Sequence, residues 1–290
     1  MESLAGHIPQ WLRTAAAPLR PVLRAARLWS DADGLRMSAA MSFYGILSLA
    51  PLLIVMVAVL GWWLDRDVLE NGIVSQIGAV VGDRGGALVK QALASAKKPS
   101  DGILASILGF GVLLFGATGV FTELQEAFER LWRHGRIEPA RQKWWHGASL
   151  RLRGVGYILA FGFMLLVSLV FSTMLALFSG WAGAWMGFEA VLRVVNELVS
   201  FIVSAALFLA LMRISSGPKP PMKLLIVGAV AGAILFTIGR QLMTLYLSTA
   251  AVVSAYGTAG SLIVLLMWIY FSSAVLLFSA GFARALEEER

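Results

Sequence analysis

Apolar residues in this chain fall in long unbroken blocks, and its polar positions gather between them. Uncharged runs cover residues 37–64, 102–122, 154–188 and 241–283, each longer than the ~18 residues that mark a spanning helix. Two more apolar segments, 194–212 and 224–247, are interrupted by a single charge each, Glu197 and Arg240. Allowing for connections, the pattern predicts spans at 38–63, 102–122, 155–178, 194–213, 224–247 and 260–283. The predicted fold class is therefore all-α: a polytopic membrane protein with six transmembrane helices plus short amphipathic interfacial helices.

The connecting segments have a different rhythm. In 1–36, Leu19, Val22, Leu23, Ala26 and Trp29 share one helical face while Arg20, Arg24 and Arg27 point elsewhere. That pattern predicts a helix lying on anionic lipid, or one packed beneath the membrane domain. Asp31 and Asp33 are placed to cap the helix that follows. The outer segment 65–101 repeats Val68, Leu69, Ile73, Val74, Ile77, Val80 and Val81 at helical spacing, breaks at GDRGG, and resumes from Ala87 to Ala96. Two short helices are expected there, resting on the membrane or covering an opening. A membrane domain over 37–285, with a basic loop at 123–153 and a tail at 286–290, leaves no room for a separate soluble catalytic domain.

Composition agrees with the pattern: 58% of residues are hydrophobic and 14% charged, and the mean hydropathy is +0.77. The net charge of +7 raises the question of a nucleic-acid surface, and its distribution answers it. Five Lys and Arg in the N-terminal segment, seven in 123–153, three in 213–223 and two at the C-terminus fall on one side, against six on the other. This asymmetry places both termini in the cytoplasm and accounts for the basicity, so no nucleic-acid partner is expected. The 36 residues before the first span are too long and Arg-rich for a cleaved signal, so that span is expected to stay as an anchor. With no cysteine in the chain, disulfides and thiolate metal sites are excluded. Trp62, Trp63, Trp181 and Trp185 near outer ends, with Trp29, Trp132, Trp144 and Trp145 near inner ones, form the aromatic belts; Trp268 alone lies deep in a span.

The stretches MSFYGILSLAPLLIVM, GFGVLLFGATGVFTELQEAFERLW, WW followed by FMLLVSLVFS, and LYLSTAAVVSAYGTAGSLIVLLMWIYFSSAVLLFSAGF together resemble the YihY/BrkB family of bacterial inner-membrane proteins over about residues 20–285. The positions that match are Phe43 or Tyr44, Leu47, Ser48 and Pro51; Leu124, Gln125, Ala127, Leu131 and Trp132; and Tyr246, Tyr256, Gly260, Leu262, Leu266, Trp268 and Tyr270. Two places depart: Glu129 stands where the family commonly has Asn, and Ser279, Ala280 and Gly281 stand where it often has Gly-Ala-Glu. The resemblance implies an inner-membrane location and the six-span architecture. Some family members carry a ribonuclease label, others a virulence or serum-resistance label.

A hydrolytic nuclease needs a metal cluster or an acid–base pair, and the raw material is thin. His7, His134 and His146 form no ligand-spaced pair, and Glu126 with Arg130 and Glu129 with Arg133 have the i,i+4 spacing of ion pairs on a solvated helix. Charges inside spans say more. A lipid-facing Arg240, about 10 Å from the outer end of its helix, would cost roughly 2.5–3.5 kcal/mol. It is expected to snorkel or to pair with Glu197, which also has Arg193 four residues before it. Small and polar stripes, Ser38, Ser42 and Gly45 in the first span and Ser261, Trp268, Ser272 and Ser279 in the last, indicate close helix packing or a polar groove. Gly183 with Gly187 and Gly228 with Gly232 have GxxxG spacing. Pro51 deprives the Leu47 carbonyl of its helical partner, which hydrocarbon penalises unless protein or water lies beside it, with Ser48 close enough to help.

The candidate pathway residues are thus Ser42, Ser48, Pro51, Glu197, Arg240, Tyr246, Tyr256, Ser261, Trp268 and Ser272. The expected function is transport, export or lipid translocation among the first, fifth and last spans, without a catalytic residue, metal or cofactor. The alternatives are a non-transporting envelope scaffold and a membrane-associated ribonuclease. Membrane lipids and an unidentified small-molecule or lipid substrate are the expected partners, and a homo-oligomer is compatible with the pattern.

Overall fold

A computed structural model describes residues 20–60, 65–81, 83–96, 103–133, 188–215, 217–249 and 260–289. Among them are eight helices and no strand: α1 Arg20–Asp31, α2 Gly34–Leu60, α3 Arg66–Val81, α4 Asp83–Ala96, α5 Ile103–Arg133, α6 Phe188–Ile214, α7 Met222–Thr249 and α8 Gly260–Glu288. The protein is all-α, as the periodicity requires. Three helical segments among the described residues, Glu197–Ile214, Met222–Met243 and Leu262–Glu288, are long and apolar enough to cross a membrane. The predicted span at 155–178, the loop at 134–153, Gly183, Gly187 and Tyr256 lie outside the described residues.

α8 is the hub. It packs against α1, α2, α4, α5 and α7, while α2 pairs with α5 and α6 packs on α7. Small residues make the closest approaches. A Cβ added at Gly232 would lie 2.6 Å from Ser279 Cβ and 2.7 Å from the Phe208 ring, and one at Gly228 would lie 2.8 Å from Ala283 Cβ. Gly116 brings α5 equally close to Ser48 of α2, where an added Cβ would meet the Ser48 Cβ at 2.7 Å. The Gly228–Gly232 spacing in α7 is therefore a packing device within the chain.

Four local expectations are corrected. α1 buries Ala25 and Leu28, with Ala32 following, and leaves Val22 and Leu23 exposed. The docked face is thus one step round the helix from the predicted stripe, because small Ala25 allows its carbonyl to approach Gly281 of α8. Arg24 secures this crossing through Glu288 at 2.7 Å.

Asp33 is no N-cap. Its φ of 57° is left-handed, a conformation that short Asp tolerates. Its N–H donates to the Ser30 carbonyl at 3.0 Å, while its carboxylate accepts from Arg36 and Arg130. The side-chain cap appears instead at Asp65, whose Oδ1 accepts from the N–H groups of Asp67 (2.9 Å) and Val68 (3.4 Å) at the start of α3.

α5 does not end with its apolar run at residue 122. It continues unbroken to Arg133, since Leu124, Ala127, Phe128, Leu131 and Trp132 keep a helical stripe buried and no breaker intervenes. The outer pair α3–α4 is not confined to the surface either. Leu69, Ile73, Val89 and Leu93 are buried; the last three cluster with Leu53 of α2, and Ile77 and Leu88 pack against the cluster of Val264, Leu265 and Trp268 on α8.

Candidate functional site

α6 and α7 form an antiparallel hairpin whose turn is tightly specified. Trp132 Nε1 donates to Ser215 Oγ at 2.8 Å, and that hydroxyl donates on to the Met212 carbonyl at 2.8 Å. Lys219 Nζ then caps the end of α6, donating to the carbonyls of Arg213 (2.6 Å) and Ser215 (3.3 Å), where a cation also complements the helix dipole. Gly217 takes φ 108° in this turn, which glycine adopts without steric cost.

With the turn fixed, register fixes the charges. Arg240 lies about 27 Å along α7 from Met222, and Glu197 about 26 Å along α6 from Ile214, at 1.5 Å per residue. The two meet: Arg240 Nη2 donates to Glu197 Oε2 at 2.8 Å. The arginine side chain is 20% exposed and the carboxylate 49%. Phe236 and Met243, on the Arg240 face of α7 at helical spacing, pack against the cluster of Val264, Leu265 and Trp268 on α8. Arg240 therefore faces the bundle, beside a half-open carboxylate.

Four of the other predicted site residues, Ser42, Ser48, Trp268 and Ser272, make their contacts elsewhere. Ser42 and Ser272 donate to the carbonyls of Ala39 and Trp268 on their own helices, both at 2.8 Å. Ser48 donates to the Gly45 carbonyl at 3.1 Å, three residues back, and not to Leu47. Gly45 itself packs against Ile269 of α8, so these faces of α2 and α8 pack together, and the hydroxyls of Ser38, Ser42, Ser48, Ser272 and Ser279 are satisfied within their own helices. Trp268 fills the junction of α7 and α8, in edge contact with Phe236 at 6.0 Å. Tyr246 is exposed on α7. Pro51 and Ser261 lie within α2 and α8.

At the other end of the bundle a second polar group holds α5 to the α1–α2 turn. Asp33 accepts from Arg36 at 2.9 Å and from Arg130 at 3.0 Å, and Arg130 also binds Glu126 at 2.6 Å. Glu129 and Arg133 pair at 2.5 Å. The i,i+4 spacings foretold the two pairs on α5. The link to Asp33, 97 residues away, had no local signal. The Arg36 hydrogen bond and charge, aided by Arg130, hold the Asp33 carboxyl below its ordinary value, and Asp33 in turn raises Arg36. Because folding lowers this carboxyl's affinity for protons, its contribution is full above the unfolded value of about 3.9 and is lost as pH falls through the lower folded value. In acid titrations of thermal stability, Asp33→Asn is expected to flatten the decline that the unaltered protein shows below about pH 4. Parallel curves would exclude this contribution. Among the described residues, no three His, Asp or Glu side chains gather where they could hold a metal ion.

An all-helical bundle with three membrane-length apolar helices, two of them joined by an internal charge pair, defines an integral membrane protein. The chain belongs to the BrkB family: the family model described as virulence factor BrkB matches residues 25–290. It is similar to a UPF0761 membrane protein of Aromatoleum aromaticum, 24% identical over 267 residues that make up 87% of this chain and 60% of the relative. A UPF0761 membrane protein of Stenotrophomonas maltophilia is 23% identical over 287 residues, 95% of this chain and 63% of the relative. The ribonuclease-like protein YfkH of Bacillus subtilis is 28% identical over 271 residues, 89% of this chain and 91% of its own length. The chain thus spans about three-fifths of the length of the two UPF0761 relatives. No solved structure matches.

Proposed function

We propose that this chain is a six-span inner-membrane translocator, with both termini in the cytoplasm, that moves an unidentified solute or lipid. The observation that carries the reading is the Glu197–Arg240 pair. Opposite charges retained inside two apolar helices are costly, and they mark substrate or ion paths more often than they serve stability alone. The chain has no GxxxxGK[ST] loop, so the drive is assigned to a gradient or a partner. The packed serine stripes shift the proposed route from the contact of α2 with α8 to the flank where α6, α7 and α8 meet.

Two measurements test this. A periplasm-active reporter fused after Arg290 should be silent and a cytoplasm-active one functional; the reverse would overturn the topology. In proteoliposomes, solute and lipid flux should fall in both Glu197→Gln and Arg240→Gln. The double variant should be milder than the two losses combined, since both single changes break the same ion pair. Strict additivity, or flux indifferent to both, would remove the pair from the mechanism.

The name of YfkH supports a second reading, a membrane-associated ribonuclease. It requires metal-dependent cleavage that survives purification and vanishes in Glu126→Gln or Glu129→Gln. Both carboxylates are engaged by arginines, so we rank this reading below translocation.

A further inference from the structure

The α6–α7 pair has the chemistry of an exchangeable site. Arginine presents a planar fork of donors that matches the oxygens of a phosphate as well as those of a carboxylate. Its present partner, Glu197, is 49% exposed, so that the guanidinium is sheltered while its counter-ion stands at the edge. An incoming anion can therefore reach the edge of the pair without dismantling the hairpin.

The surroundings narrow the class of anion. Ser200 and Ser204 follow Glu197 at helical spacing, and Ser204 donates to the Ser200 carbonyl at 2.8 Å. Phe236 and Met243 flank Arg240 and continue into the Trp268 cluster. Val194 and Leu198, beside Glu197 on α6, are exposed, as are Ile202 farther along α6 and Ile238, Leu242 and Leu245 round α7. These apolar surfaces bring acyl chains within about one helix diameter, ~10 Å, of the pair. A hydrated free anion would have to shed water to enter such a place, whereas a lipid carries its phosphate there with its chains already in hydrocarbon.

We infer that Arg240 binds the phosphate of an anionic lipid headgroup in competition with Glu197, at the exposed edge of the α6–α7 pair. This rests on the translocation reading for its purpose but not for its chemistry. Glu197 then acts as a stand-in anion that keeps the empty site neutral. Displaced, it leaves an unpaired carboxylate that favours release of the lipid.

The test is retention of lipid by the purified full chain, read by native mass spectrometry from nanodiscs of mixed phosphatidylglycerol and phosphatidylcholine. Phosphatidylglycerol should be retained preferentially. Arg240→Gln should lower that preference about tenfold, the equivalent of one charge-assisted hydrogen bond, and Arg240→Lys should fall between. Glu197→Gln should raise it, because the competitor is gone. The sign of this last effect decides the matter even if Arg240→Gln fails to fold: a loss would mean that Glu197 helps to build the site, which overturns the proposal. Displacement of the bound lipid by excess inorganic phosphate would assign the site to a soluble anion and overturn the lipid assignment. Retention without flux would leave this inference standing and remove the translocation reading. Flux with no loss of preference in Arg240→Gln would do the reverse.

Discussion

Trp132→Ala is expected to destabilise the folded protein by about 3–5 kcal/mol, the range for truncating a buried tryptophan. Trp132 is fully buried and stacks on Phe128 with ring centroids 5.6 Å apart and planes 4° from parallel. Its indole N–H is also the donor that ties the end of α5 to Ser215 in the α6–α7 turn. The residue lies on the extension of α5 beyond the apolar run, in the core cluster with Phe128, Leu131 and Met212, so its truncation leaves a cavity. Trp132→Phe separates the two contributions. It keeps most of the apolar contact and loses the hydrogen bond, for about 1 kcal/mol from that bond. Thermal unfolding in one detergent checks the series, and an alanine variant as stable as the phenylalanine one would refute the packing account. Because the turn also sets the register of the hairpin, the alanine variant should weaken the Glu197–Arg240 coupling as well.

Gly232→Val is expected to cost about 1–3 kcal/mol or more, for a different physical reason. Within a bilayer the solvent is as apolar as the side chains, so helices are held by close contact and not by expulsion from water. A Cβ at this position would overlap Ser279 and Phe208 at once, on two different helices, so a shift that relieves one clash cannot relieve both. α7 would have to draw back from α8 and from α6 together, loosening both of its main contacts. Gly78→Ala supplies the control, since a Cβ there meets nothing within 4 Å. In the interior of α3 the change should be neutral or stabilising by a few tenths to about 1 kcal/mol. Equal losses at the two glycines would remove the contact account of position 232, because helix propensity favours both substitutions over glycine.

How much of this was legible in advance follows from the range of each interaction. The helical class and the approximate limits of α2, α6, α7 and α8 followed from uninterrupted hydropathy, a property of consecutive residues. The ion pairs within α5 followed from i,i+4 spacing for the same reason. The side of α1 that docks did not. Its stripe of larger residues pointed one way, while the bundle accepted the small Ala25 where α8 offers Gly281.

The candidate site divides along the same line. Glu197 and Arg240 could be nominated as partners because charges in hydrocarbon must be offset and few lie in reach. The serines of α2 and α8 were equally visible but ambiguous, since a hydroxyl that lines a groove and one that bonds back to its own helix look alike in sequence.

The sequence by itself determined that the chain is helical, that it enters a membrane, and which few charges its apolar helices must accommodate, because these depend on the local cost of exposing backbone or charge to hydrocarbon. Only the tertiary structure decided which faces meet. The contact of Asp33 with Arg130, the donation from Trp132 to Ser215, and the choice of stripes as packing surfaces over a polar groove depend on shape complementarity between segments far apart in the chain, which residue spacing does not encode.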